Sequence, residues 1–370
     1  MRGIWSRGGG TAASEGGGTP TEAEAGAARR RARRARRALL VLGLGAALAA
    51  ALAARAAVGS TPRSTLERGV VDITTKLGYQ NGSAAGTGMI ITPSGEVLTN
   101  NHVVEGATSI RVRDVSTGHT YAATVMGTDS ADDVALLRLK GASNLHTIAI
   151  GNSSTASIGA AVTAVGNAGG VGGHPAVSHG TITRLHQSLA ISDTPNGISS
   201  RLVGLIQTNA SLQPGDSGGP LYDSSGRVIG MDTAASLALR FRARSAQGFA
   251  IPINRALTIV KQIEAGRVST NVHIGPAAFL GIQLAPADEP GTSVSGVIVG
   301  GVLPQTPADS AGLNAGDVIT SLDGHHLGSS AGLAALMRQH HPGDTVQLTW
   351  VDKSGQTHSA SVTLITGPAA

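Results

Sequence analysis

The chain has 370 residues, enough for two or three domains. It contains no cysteine, which excludes disulfide frameworks, metal-thiolate sites and cysteine nucleophiles. Aromatic residues make up only 2% of it, so its cores are built from Val, Ile, Leu and Ala. The net charge of +5 belongs to the N-terminus: residues 1–59 hold ten arginines and three glutamates, whereas residues 60–370 hold 18 basic and 20 acidic groups. This distribution speaks against a basic nucleic-acid-binding face.

Residues 1–68 are typical of an export segment followed by a linker. Residues 1–37, rich in Gly, Ala and Arg, predict a disordered basic cytoplasmic tail. Residues 38–54 are 17 uncharged residues, short for a transmembrane helix and long for a signal-peptide core. The long tail and Arg55 favour a retained single-pass membrane anchor, and secretion after cleavage near residues 53–57 is the alternative. The preceding arginines predict that everything after the linker at 55–68 lies outside the cytoplasm.

From Gly69 onward, short apolar runs alternate with glycine-containing turns. This pattern predicts an all-β fold of the barrel type over residues 69–264. A helical pattern follows at 256–264, where Leu257, Val260 and Ile263 share one face. Residues 265–276 are predicted to be a linker. The predicted strands lie at residues 70–73, 86–91, 97–99, 109–112, 120–126, 134–139, 161–165, 177–182, 204–208 and 227–231.

The sequence GDSGGP at residues 215–220 is the strongest candidate for a catalytic segment. A serine hydroxyl needs a base and a stabilised oxyanion to act as a nucleophile. Glycines on both sides of Ser217 let the backbone turn tightly, so the amides of Gly215, Asp216 and Ser217 are candidates for an oxyanion hole. A plain Gly/Ser loop is the alternative, because the chain has 52 glycines, but a six-residue match argues against it.

Two segments upstream of Ser217 supply the partners that a nucleophilic serine requires. LTNNHVV at residues 98–104 contains His102, the candidate general base and acid. DDVALL at residues 132–137 contains Asp133, the candidate residue that orients the histidine. Asp133 is preferred to Asp132 because it directly precedes the apolar run. Either residue alone is a weak signal, since the chain has 12 histidines, but the order His, Asp, Ser with apolar flanks is specific.

These segments resemble those of chymotrypsin-like serine proteases, and more narrowly those of the HtrA (Deg) family. The resemblance includes GTGMII at residues 86–91 and covers residues 69–367. It implies a chymotrypsin-like double β-barrel with the active site in the cleft between the barrels. It also implies that the loops at 166–178 and 187–200 are candidates for gating the site.

Two stretches after Ser217, at residues 230–235 and 248–252, resemble the strands that form the walls of the specificity pocket in this family. The resemblance assigns substrate binding to Ser211, Thr233, Ala234 and Phe249, with core packing as the alternative for Thr233 and Phe249. Without a buried carboxylate, such a pocket favours a small or medium apolar residue before the scissile bond. Asp232 complicates this interpretation unless strand alternation directs it elsewhere.

The chain departs from the family pattern at two points. Asp216 stands where HtrA proteases usually carry asparagine. In trypsin-like enzymes an acid there pairs with a new N-terminus made by cleavage, but no IVGG-like activation site is present. The aromatic residues that often hold HtrA trimers together are also missing, so a homotrimer is expected only from the resemblance.

A second module is predicted at residues 277–367. FLGI at 279–282 and AGLNAGDVI at 311–319 resemble an α+β PDZ domain of the bacterial type. The resemblance implies that Phe279, Leu280, Gly281 and Ile282 form a carboxylate-binding loop. In this loop the amides of Leu280, Gly281 and Ile282 are candidates to surround the carboxylate of a C-terminal peptide, which adds a strand to the sheet. The helix at 330–339 is predicted to form the other wall of the groove, although its apolar residues more often pack in a core.

Together these features predict a membrane-anchored, exported serine endopeptidase that acts on unfolded or misfolded proteins and binds C-terminal peptides. No cofactor, metal or nucleic acid is expected. A protease-latent, peptide-binding chaperone or scaffold of the cell envelope is the alternative from another class. A hydrolase of small esters is disfavoured, because a tail-binding groove has no use for a small ester.

Overall fold

The computed structural model describes residues 62–191, 200–233, 247–285 and 294–369. The predicted span at 38–54 lies outside these residues. Within the described ranges, no helix combines the length and the apolar character needed to cross a membrane.

Six strands form the first barrel. They are ordered β5-β4-β1-β2-β3-β6 and close through pairing of β5 with β6. The first part of the chain contains α1 (Arg63–Leu66), β1 (Val70–Leu77), β2 (Gly82–Ile90), β3 (Glu96–Thr99), α2 (Asn101–Val104), β4 (Ser109–Asp114), β5 (Thr120–Asp129) and β6 (Val134–Leu139), with a 3₁₀ turn at Gly78–Gln80.

The second barrel is also closed and six-stranded, in the order β10-β11-β12-β9-β8-β7. Its elements are β7 (Ala161–Gly166), β8 (Ala176–Ile191), β9 (Ser200–Thr208), β10 (Pro220–Asp223), β11 (Val228–Thr233), β12 (Gly248–Pro252) and α3 (Ile253–Glu264), with 3₁₀ turns at Ser153–Thr155 and Ala168–Gly170. The two closed barrels confirm the predicted double-barrel architecture.

A shared apolar core holds the barrels together. Successive residues of a strand point to opposite faces, so β6 buries Leu137 inside the first barrel and Leu136 against the second. Helix α3 covers this shared core with Ile259, Val260 and Ile263. The helix begins at residue 253, three residues before the predicted start, because residues 253 and 256 belong to the same buried face.

The C-terminal module has its own core around Leu348 and Trp350. Its main sheet is ordered β15-β16-β17-β19-β20, and β14 pairs with β21. Its elements are β14 (Ala278–Phe279), β15 (Ile282–Leu284), β16 (Val297–Val302), α4 (Pro307–Ala311), β17 (Val318–Leu322), β18 (His325–His326), α5 (Ser330–Met337), β19 (Thr345–Val351), β20 (Thr357–Thr363) and β21 (Ile365–Thr366).

Several contacts connect this module to the first barrel. Strand β13 (Val272–Ile274), in the stretch predicted to be a linker, pairs with β5. His273 is buried there and contacts the Arg338 carbonyl, with 2.9 Å between Nδ1 and O. Ala369 exchanges backbone hydrogen bonds with residues 106 and 107 at the start of β4. Backbone pairing at both ends therefore holds the module against the first barrel.

Candidate functional site

Helix α2 presents His102 beside the cleft. The helix follows β3 directly, and the buried side chains of Val103 and Val104 anchor it in the first barrel. The Asn100 side chain donates a hydrogen bond to the Asp133 carbonyl at 3.0 Å. The histidine segment and the aspartate segment are therefore fastened to each other before their functional side chains meet.

Asp133 contacts His102 in two ways. One carboxylate oxygen accepts the His102 backbone N–H at 3.0 Å, and the other lies 2.8 Å from the ring Nδ1. Asp133 has a φ of 54°, in the left-handed region that is uncommon for a residue with a side chain. The preceding Asp132 turns the other way and pairs with Arg255 on α3. The structure thus brings Asp133, rather than Asp132, to the histidine.

The environment of His102 favours its charged form. Burial opposes protonation of the ring, but the Asp133 charge, its hydrogen bonds and the Glu105 charge together raise the His102 pKa. Desolvation and the Asp133 charge also raise the pKa of Glu105. Glu105 was not predicted from the sequence, because its proximity to Asp133 arises only when α2 folds against the turn before β6.

Only glycine fits at two positions of the loop that carries Ser217. Gly215 has a φ of 99°, and a Cβ there would lie 2.1 Å from the Asn167 carbonyl oxygen. Gly218 has a φ of 84°, and a Cβ there would lie 2.1 Å from the Thr87 carbonyl oxygen. Close packing against both barrels therefore requires glycine at positions 215 and 218 of the GDSGGP sequence.

Hydrogen bonds to this loop fix its carbonyl groups. The Pro214 carbonyl accepts the Gly169 N–H at 2.7 Å, and the Asp216 carbonyl accepts the Gly219 N–H at 2.9 Å. In a trans peptide the C=O and the following N–H point in opposite directions. The N–H groups of Gly215 and Ser217 are therefore directed away from these anchors. The Asp216 N–H, also predicted to serve the oxyanion hole, donates to the Gln213 carbonyl at 3.0 Å.

Strand β2 lies between the serine loop and the histidine helix. The Thr87 N–H donates to the Ser217 carbonyl at 2.8 Å, and the Thr87 hydroxyl donates to the Gly215 carbonyl at 2.7 Å. A Cβ on Gly86 would lie 2.6 Å from Val103 and 3.3 Å from the Ser217 carbonyl oxygen. Ser217 and the residue after His102 therefore meet the same point of β2. The GTG sequence at 86–88 was the signal for this support.

The glycine-rich loop at 166–178, predicted to gate the site, supports the serine loop directly. Besides the bond from Gly169, the Asn167 N–H donates to the Thr87 hydroxyl at 2.8 Å. At its far end, the Pro175 carbonyl accepts a hydrogen bond from Arg63 on α1 at 2.8 Å. The second predicted gating loop, at 187–200, falls mainly outside the described residues.

The residues predicted to form a specificity pocket occupy different environments. Thr233 is fully buried, and its hydroxyl lies 3.5 Å from the Asp133 carboxylate. Phe249 is buried in the core shared by the barrels. Ser211 is exposed, and its N–H donates to the Ser178 hydroxyl. Ala234 lies outside the described residues. Thr233 and Phe249 thus have structural contacts of their own, as the core-packing alternative expects.

The predicted carboxylate loop of the C-terminal module orients its amides outward. The Leu280 carbonyl accepts the Ala308 N–H at 2.8 Å, and the Gly281 carbonyl accepts the Leu303 N–H at 2.9 Å. By the same trans-peptide geometry, the N–H groups of Gly281 and Ile282 point away from the body of the module. They lie beside β15, an edge strand of the main sheet, as strand addition requires.

Phe279 and helix α5 face the first barrel. The Phe279 ring stacks on Tyr79 with 5.0 Å between ring centroids. A cavity of about 240 Å³ separates α5 from α2 and is lined by Asn101, Glu105, Met337 and Arg338, among others. On the core side of the helix, Leu333 is buried in the module. Part of the predicted groove helix therefore faces the first barrel across this cavity.

Two closed β-barrels with a His–Asp pair beside a serine loop define the chymotrypsin-like fold class, here joined to a second, α+β module. Residues 86–231 match the trypsin-like peptidase domain family, and residues 278–364 match the PDZ domain family.

The chain is similar to several bacterial proteins. It is 36% identical to HhoA of Synechocystis sp. over 69% of this chain and 64% of that protein. It is 32% identical to the serine protease PepD of Mycobacterium tuberculosis, over 80% of this chain and 63% of that protein. A Haemophilus influenzae protein, described as a probable periplasmic serine protease do/HhoA-like, is 35% identical over 77% of this chain and 59% of that protein. The chain spans less than two thirds of each relative's length. It belongs to the HtrA family.

Proposed function

We propose that the chain is a serine endopeptidase that hydrolyses peptide bonds of unfolded or misfolded exported proteins. The observation that carries this proposal is the bonding of His102 to Asp133 beside a serine loop in which the carbonyls of residues 214 to 217 each accept a hydrogen bond. In the neutral His102 ring, the Nδ1 proton is donated to Asp133, which leaves Nε2 unprotonated and able to accept a proton.

The mechanism is acyl transfer in two halves. Ser217 Oγ attacks the scissile carbonyl while His102 takes its proton, and the N–H groups of Gly215 and Ser217 receive the oxyanion. His102 then gives the proton to the leaving amine. Water then attacks the acyl-enzyme while His102 takes its proton. His102 returns that proton to Ser217 Oγ as the acid product leaves. Asp133 stabilises the imidazolium that forms, in keeping with the raised His102 pKa.

The C-terminal module is proposed to bind the free C-terminus of a peptide. The outward N–H groups of Gly281 and Ile282 suit a carboxylate, and the open edge of β15 suits an added strand. The membrane anchor at 38–54 and export of the body complete the proposal. They are supported by the arginines at 29–37 and by the periplasmic description of the Haemophilus influenzae relative.

The test is cleavage of denatured casein by the full chain in detergent. Ser217→Ala is expected to lower cleavage by at least about 10⁴-fold, whereas Ser225→Ala, in an exposed turn, leaves it unchanged. Peptides with a free C-terminus are expected to bind, and the same peptides with a C-terminal amide are not. Equal cleavage by the Ser217→Ala variant would contradict the proposed mechanism. Peptide binding with suppressed aggregation but no cleavage would favour a chaperone.

A further inference from the structure

The proposed mechanism uses neither the side chain of the buried aspartate within the serine loop nor that of the buried aspartate beneath it. Asp216 precedes Ser217, and Asp232 lies on β11; their exposed fractions are 5% and 0%. The two segments are bonded through their backbones. The Gly218 N–H donates to the Asp232 carbonyl at 2.9 Å, and the Asp232 N–H donates to the Gly219 carbonyl at 2.8 Å. The Asp232 backbone is therefore part of the support of the serine loop.

The carboxyl groups of this pair have few hydrogen-bond partners. One Asp216 oxygen accepts the Gln213 N–H at 2.8 Å. The other Asp216 oxygen and both oxygens of Asp232 have none within the described part of the chain. Removing a carboxylate from water without donors costs several kcal/mol, and the neutral acid costs much less. Such surroundings favour a proton on the pair.

No cation compensates the pair among the residues that the structure describes. Asp216 is the charged group that acts on Asp232. The neighbouring Thr233 side chain points to the opposite face of β11, toward Asp133. The surrounding elements are β7, β10, β12, helix α3 and the glycine-rich loop. In these elements His174 contacts Glu67, Tyr222 contacts the Leu66 carbonyl, Asp223 contacts its own turn, and Arg255 of α3 pairs with Asp132.

Burial raises the pKa of Asp216 to about 6. Burial and then the Asp216 charge raise the pKa of Asp232 well above its ordinary range. Since the groups are coupled, their protons belong to the pair, and the last proton of the pair resides chiefly on Asp232. Loss of that proton to solvent would leave two like charges in a site with a single donor.

We propose that Asp232, in its protonated form, is a positioning residue for the serine loop. While the pair keeps one proton, the 216–218 segment stays docked on β11 and the N–H groups of Gly215 and Ser217 stay in place for the oxyanion. When the last proton leaves, repulsion between the carboxylates separates the segments and the oxyanion site is lost. This inference rests on the proposed function and adds an upper pH limit to the activity.

The test is the pH profile of kcat/KM for the full chain, from about pH 6 to about pH 10. The unmodified chain is expected to lose about tenfold per pH unit once the pair gives up its last proton. Asp232→Asn keeps the shape but has no proton to lose, so the alkaline fall should disappear. Asp114→Asn removes an equally buried acid in the first barrel, and this variant should still show the alkaline fall of kcat/KM. An alkaline fall that is identical in Asp232→Asn, or absent from the unmodified chain, would overturn the proposal.

A second measurement separates this inference from the proposed function. In the Ser217→Ala background, which needs no catalysis, the unfolding temperature is followed against pH. A raised carboxyl pKa in the folded state means that stability falls as pH rises from the ordinary carboxyl range to the folded-state pKa. Adding Asp232→Asn should remove much of that fall, and an unchanged slope would overturn the acid pair. If the chain cleaves nothing, only the proposed function fails, and this series still decides on the pair.

Discussion

His102–Asp133 and Asp216–Asp232 are two ionisable pairs close to Ser217. They differ in the charges of their members and in the hydrogen bonds that their carboxylates accept. In the first pair the charges are opposite, and both carboxylate oxygens have partners within hydrogen-bond distance. In the second pair both members are acids, and three of the four oxygens lack partners in the described part of the chain.

The difference lies in what each pair can do with charge. The first is suited to hold a proton transiently, because Asp133 stabilises the imidazolium as it forms. The second is suited to keep a proton, because no cation acts on it in the described part of the chain. Burial therefore does not by itself predict the role of a carboxyl group; its donors and the sign of its neighbour decide.

The largest expected effect comes from breaking the first pair. Asp133→Asn keeps the volume but removes the charge and the acceptor that hold the His102 tautomer. We expect kcat/KM to fall by about 10³- to 10⁴-fold, with little change in KM. The adjacent acid supplies the control: Asp132→Asn loses only the Arg255 pair and should stay within about twofold. Equal losses in the two variants would contradict the assignment of Asp133.

A stability measurement on Asp216→Asn tests the second pair. The folded-state pKa of about 6 exceeds the ordinary value of 3.8, so the folded state keeps a proton that the unfolded state has lost. Stability therefore falls as pH rises from about 4 to about 6, by up to about 3 kcal/mol. The asparagine variant should lack this fall and be the more stable protein at pH 7, as denaturant titrations at several pH values would show.

The His102 pair provides the internal comparison for that series. Its raised pKa means that the folded state gains stability from the charged ring below about pH 6.5, which is lost as pH rises through the folded-state pKa. Asp216 and His102 therefore both lower stability as pH rises, but in separate windows: between about pH 4 and 6 for Asp216, and above about pH 6.5 for His102. If Asp216→Asn changed only the upper window, the pKa assigned to Asp216 would be wrong.

Local sequence patterns predicted the parts of the site that depend on local geometry. GDSGGP located Ser217 because two of its glycines occupy backbone conformations and spaces closed to other residues. The apolar run after Asp133 distinguished it from Asp132, since the residue entering β6 is the one that meets α2. The alternation of strands and turns predicted an all-β barrel fold because each strand and turn is a local feature, whereas the division into two barrels was predicted from the resemblance to the HtrA family.

Contacts between segments far apart in the chain were not predictable in this way. Thr233 was predicted either to line a substrate pocket or to pack in the core, and the contact of its hydroxyl with Asp133, one hundred residues away, was not foreseen. Glu105 comes close to Asp133 and His102 only through the packing of α2. Strand β13 formed where a linker was expected, because the edge of β5 at residues 127–129 accepts it. Asp232 was seen only as a complication, since its missing partners become visible only when the second barrel is closed.

The smallest effect expected concerns the hydroxyl of Thr233. At 3.5 Å from Asp133 it is a long contact, so it adds less to the pair than the His102 bonds at 2.8 and 3.0 Å. Thr233→Val removes the hydroxyl with little change in shape and should lower kcat/KM by about three- to tenfold, because the Asp133 oxygen loses a donor. Thr233→Ser should restore most of the activity. If the residue instead lined a substrate pocket, Thr233→Val would change the preference for the residue before the scissile bond, and the serine variant would not restore it. A panel of peptides differing at that residue separates the two roles.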